Sequence, residues 1–69
     1  MTNEEKKQII QNELKALERE MYPLEVRARV SKKVGDQELN IKVIREMERL
    51  EKYVDGYQEE LKNLENAKT

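Results

Sequence analysis

The sequence predicts an α+β fold in the order helix, β-hairpin, helix, with the two helices lying as an antiparallel, coiled-coil-like pair. Three observations predict it. Apolar residues alternate at Leu24, Val26, Ala28 and Val30, and again at Leu39, Ile41 and Val43. Gly35-Asp36, a hairpin-turn dipeptide, lies between the two runs. On either side the apolar residues return at helical spacing instead. All 69 residues belong to one small domain in this reading.

The first helix is expected over residues 3–22. Thr2 and Glu5 have the T-x-x-E spacing of a capping box, in which each side chain bonds the other's backbone amide. Ile10, Leu14, Leu17 and Met21 then follow at 4-3-4 spacing, one narrow apolar stripe with Ile9 beside it. Pro23 has no amide proton and clashes with a preceding helical turn, so the helix should stop at Met21 or Tyr22.

The hairpin is expected over residues 24–43, with its turn at 35–36. Strict alternation places side chains on one face of an extended strand. A two-residue turn sets Val30 opposite Ile41 and Ala28 opposite Val43. Lys33 would then cross from Glu38, a favourable pair, and Arg29 from Lys42, an unfavourable one.

The second helix is expected over residues 44–66, ahead of a frayed tail at 67–69. Val43, Met47, Leu50, Val54, Tyr57, Leu61 and Leu64 keep a 4-3 rhythm, the spacing of a coiled coil. Gly56 interrupts the propensity but not the stripe. The competing architecture is an all-α two-helix hairpin. It extends the first stripe through Leu24 and Ala28 across a kink at Pro23, and leaves Val26, Val30, Leu39 and Ile41 off the stripe.

A chain of this size gains little from one core without a staple. There is no Cys and no His, so disulfides are excluded and only carboxylates remain to hold a metal. Oligomerisation is the remaining staple, and a dimer is the expected state. The apolar interface and core set is Ile10, Leu14, Leu17, Met21, Val26, Val30, Leu39, Ile41, Val43, Met47, Leu50, Val54, Tyr57, Leu61 and Leu64. No apolar run approaches the roughly 20 residues of a membrane span, and no signal-peptide core is present. A cytoplasmic protein with no membrane contact is expected.

The chemistry-bearing residue types are few. Without His or Cys there is no ready general base near neutral pH and no thiol nucleophile. Ser31 is the only serine and Gly35 and Gly56 are the only glycines, which leaves no phosphate loop. Adjacent acidic pairs such as Glu59-Glu60 point apart on a helix. No enzymatic activity and no cofactor are expected.

Charge is uneven along the chain. Residues 1–22 carry net −1, residues 23–45 net +3 and residues 46–69 net −3. The candidate partner-binding residues are Arg27, Arg29, Lys33, Lys42 and Arg45 of the basic centre, together with Tyr53 beside the second stripe. Tyrosine suits an interface because it joins apolar area to a polar tip. The expected function is a non-enzymatic protein-binding module, acting as a small oligomer in the role of adaptor, assembly factor or inhibitor, with an unidentified protein as its second partner. The alternative is a nucleic-acid or phosphate-ligand binder using the basic hairpin face. A pI of about 5.5 and the lack of a hairpin aromatic weigh against nucleic acid. In element order alone, helix–hairpin–helix resembles the β-type subunit of prefoldin chaperones. There, paired helices form a tentacle and hairpins assemble into a sheet; no residue is carried over from that resemblance.

Overall fold

The computed structural model describes residues 1–66 and consists of two helices, α1 (Asn3–Val34) and α2 (Gln37–Asn66), folded back on each other. The expected tail at 67–69 lies outside the described residues. The hairpin measures 53 × 15 × 13 Å, two helices wide and one thick. No strand occurs among the described residues, which overturns the α+β expectation in favour of the all-α two-helix hairpin. The likeness to the prefoldin subunit lapses with the strands on which it rested.

The correction has a local cause. Leu24, Val26, Ala28 and Val30 alternate in sequence, but they are also two interleaved helical rows. Leu24 and Ala28 form one i,i+4 row, half-buried against α2. Val26 and Val30 form the other, turned to the side. Leu39 and Ile41 divide from Val43 in the same way: Val43 is buried, whereas Leu39 and Ile41 are exposed. Neither the strand pairing of Val30 with Ile41 nor that of Lys33 with Glu38 exists in the helical chain.

The seam between the helices keeps one rhythm along its whole length. On α1 it runs through Asn3, Lys7, Ile10, Leu14, Leu17, Met21, Leu24, Ala28 and Ser31; on α2 through Asn40, Val43, Met47, Leu50, Val54, Tyr57, Leu61 and Leu64. All are half-buried or buried, at alternating spacings of three and four. Val43 and Leu50, 4% and 3% exposed, are the fully buried apolar side chains. Pro23 sits inside α1. Its side chain is exposed on the outer surface, and the seam continues past it from Met21 to Leu24 without a break.

The seam closes in a polar layer at the turn. Ser31, only 2% exposed, donates from Oγ to the Ala28 carbonyl at 3.0 Å. Asn40 reaches across from α2 and donates from Nδ2 to the same carbonyl at 2.8 Å and to Ser31 Oγ at 3.1 Å. No buried side-chain polar atom among the described residues lacks a partner. A single polar residue at such a position fixes register, because slipping it would bury an unpaired amide.

The Gly35-Asp36 pair makes a helix-to-helix turn. Gly35 adopts φ 79°, a left-handed conformation that costs a residue with a Cβ. Its amide donates to the Lys32 carbonyl at 3.2 Å, and the Asp36 amide donates to the Ser31 carbonyl at 2.9 Å. That is a Schellman stop for α1. Asp36 then caps α2 by accepting the Leu39 amide on Oδ1 at 3.1 Å. At the other end of α1 the Thr2–Glu5 capping box is closed, at 3.1 and 3.0 Å.

Candidate protein interface

A two-helix hairpin has no interior beyond its seam, so any binding site must lie on its flanks. Antiparallel packing gives two flanks, and the Ser31–Asn40 layer fixes which residues share a level. From that layer the repeat sets Ala28 level with Val43, Met21 with Leu50, and Leu17 with Val54.

One flank carries an apolar groove beside the turn. Tyr22, Val26, Val30 and Val34 form an i,i+4 row along α1, and Pro23 and Leu39 of α2 complete the lining with Arg27 at the rim. Val30 is 50% exposed, and Tyr22 and Val34 are more so. Farther along the same flank lies a notch on α2 between Tyr53 and Tyr57, bounded by Lys52 and Glu60. Gly56 makes the notch: a Cβ built there would meet nothing within 4 Å. Tyr53 is 53% exposed, and the Arg49 guanidinium lies over its ring, 5.8 Å from the centroid. The Arg49 guanidinium also donates three hydrogen bonds to the Glu46 carboxylate, from Nε to Oε1 at 3.1 Å and to Oε2 at 3.2 Å, and from Nη2 to Oε1. These bonds hold Glu46 below the usual carboxylate value of 4.5. Glu20 of α1 adds its charge to the same guanidinium. Glu20, Glu46, Arg49 and Tyr53 thus mark one face.

The opposite flank is more polar. Ile41 lines a shallow depression there with Lys32, Gln37 and Asn40, and Ile44 is exposed nearby.

The structure sorts the expected interface residues into two sets. Ile10, Leu14, Leu17, Met21, Val43, Met47, Leu50, Val54, Tyr57, Leu61 and Leu64 lie on the seam between α1 and α2. Val26, Val30, Leu39 and Ile41 lie off it; the first three line the turn-end groove. The basic residues Arg27, Arg29, Lys33, Lys42 and Arg45 are all exposed, but they ring the turn half instead of sharing a face. Arg27 and Arg29 stand about 200° apart around α1 at 3.6 residues per turn. Lys42 is also within 3.9 Å of the Glu38 carboxylate. With α-helix throughout the basic centre, there is no two-stranded ribbon to enter a nucleic-acid groove.

Sequence reasoning missed the polar seam pair Ser31–Asn40 and the groove as a whole. The signal for the groove was present as the Tyr22–Val26–Val30–Val34 ladder at i,i+4, hidden by the alternation it shares with Leu24 and Ala28.

Compared with known proteins, the chain matches no protein family, no curated protein and no solved structure. The site must therefore be read from its own chemistry. Among the described residues no group of three or more carboxylates is placed to hold a metal ion, and no helix is long and apolar enough to cross a membrane. The groove and the notch offer apolar area, aromatic edges and rim charges, which is the chemistry of protein–protein contact.

Proposed function

We propose that this chain is a non-enzymatic protein-binding module that works as a small homo-oligomer and, in that form, serves a larger protein as adaptor, assembly factor or inhibitor. The observation that carries this reading is the turn-end groove of Tyr22, Val26, Val30, Val34 and Leu39, an apolar strip left uncovered by the fold. Contiguous exposed apolar surface of this kind marks an interaction site. The thinness of the hairpin supports it, because two fully buried apolar side chains are a small core for a free-standing domain. The cysteine-free composition accords with a reducing compartment, and we place the protein's work in the cytoplasm.

Light scattering during size exclusion, across a dilution series, tests the reading. A mass of two or more times 8.3 kDa that persists on dilution is the expected result. A monomer that melts cooperatively at every concentration would show that the seam suffices and would overturn it.

A further inference from the structure

We infer that the occupant of the groove is a second copy of this chain, packed antiparallel about a two-fold axis so that the turn end of each hairpin lies on the open end of the other. This rests on the oligomeric reading above and adds the surface, the partner and the orientation.

Symmetry supplies the first argument. A two-fold interface uses the same patch on both copies, so one flank must carry both halves of the contact. The groove around Val30 and the notch at Gly56 do lie on one flank. Gly56 is level with the region of Lys15 on α1, so the two features are separated by about 20 Å at 1.5 Å per residue. A two-fold axis midway, near the Met21–Leu50 layer, sets α1 against the partner's α1 and α2 against its α2, so that each groove, carried mainly by α1, lies over the partner's α1 near Lys15. About 25 residues of each helix then overlap, roughly 38 Å.

Charge supplies the second. The turn segment, residues 23–45, carries net +3, whereas residues 1–22 carry −1 and residues 46–69 carry −3. A parallel dimer stacks the positive ends on each other. The antiparallel one sets each positive end on a negative end, with Arg27 at the groove rim facing the partner's acidic half, where Glu20 and Glu60 lie on this flank.

The experiment uses the full chain. Cysteine is absent from the sequence, so Gln37→Cys, exposed beside the turn, takes a single spin label. Pulsed electron resonance should read about 40 Å between labels in the antiparallel dimer, against about 20 Å or less in a parallel one. Val30→Glu and Tyr53→Glu should each weaken dimerisation at least about tenfold with helical circular dichroism retained. If Val30→Glu loses helicity, Val34→Glu, 72% exposed, replaces it. A monomer at all concentrations overturns the oligomeric reading itself. A dimer with the short distance, a larger oligomer, or a dimer indifferent to both substitutions overturns the antiparallel packing through this flank and leaves the oligomeric reading standing.

Discussion

The two halves of this hairpin are held by different physics. In the open half the seam is aliphatic and aromatic, from Leu50 through Val54, Tyr57, Leu61 and Leu64 against Met21, Leu17, Leu14 and Ile10. In the turn half the last layer is a Ser31–Asn40 hydrogen-bond pair, followed by the Gly35 stop and the Asp36 cap. Apolar layers supply burial but tolerate sliding by a heptad, since one Leu replaces another. The polar layer supplies little net energy and permits one register only. The turn half also wears its large apolar residues on the outside, so its stability and its availability to a partner are set by separate rows of the same helices.

The largest effect should come from the open half. Leu50→Ala is expected to cost about 3 kcal/mol by cavity formation, enough to unfold so small a chain at room temperature. Chemical denaturation followed by circular dichroism checks it. A cost below that of breaking the polar layer would reverse the ranking of the two halves.

Pro23 stands at the junction, and its effect should be nearly as large with the opposite sign. Pro23→Ala restores a helical hydrogen bond and removes a clash, worth up to about 3 kcal/mol in stabilisation. The melting temperature should rise while native helicity stays nearly constant, because α1 already runs through this position. A large gain in helicity would mean that the turn half of α1 is not helical in solution.

Asn40→Ala comes next, at about 1–2 kcal/mol. It removes two hydrogen bonds from Nδ2 but leaves Ser31 Oγ bonded to the Ala28 carbonyl. Amide exchange should show the loss concentrated near the turn. Loss spread evenly along both helices would mean that the layer is no boundary between two regimes.

The same contrast explains what the sequence revealed. The open half was legible because its seam residues are apolar and recur at 4-3 spacing, as at Leu50, Val54, Tyr57 and Leu61. The turn half misled because its seam positions hold Ser31 and Asn40, which drop out of any apolar pattern. What remained visible was the outer ladder Val26–Val30 interleaved with Leu24–Ala28, and two rows of period four read together look like one row of period two. Pro23 reinforced the error by marking a helix end that burial overrode. Gly-Asp was ambiguous for a physical reason: a left-handed glycine and a capping aspartate serve a hairpin turn and a helix stop-and-start equally well. The groove was illegible for as long as its residues were assigned to a strand face.

The smallest effect expected is in the response to pH, and it too separates the ends. Glu5, in the capping box at the open end, is held below the usual value of 4.5 by the backbone amide of Thr2 and then by its hydroxyl. Glu46 is held below the same value by Arg49. A carboxylate depressed in the folded state contributes stability above its unfolded pKa and loses it as pH falls through its folded pKa. Stability should therefore decline only on acidification below about pH 4.5. Both groups are exposed, so the decline should be shallow. With no histidine side chain in the sequence, side-chain titration adds no slope between roughly pH 6 and 8. Glu5→Gln should flatten part of the acid limb, and Thr2→Ala should flatten it less, because the backbone amide of residue 2 remains and only the hydroxyl is lost. Thermal melts between pH 2 and 8 read this directly. A melting temperature that falls as steeply between pH 6 and 8 as below pH 4.5 would overturn the assignment of the acid limb to Glu5 and Glu46.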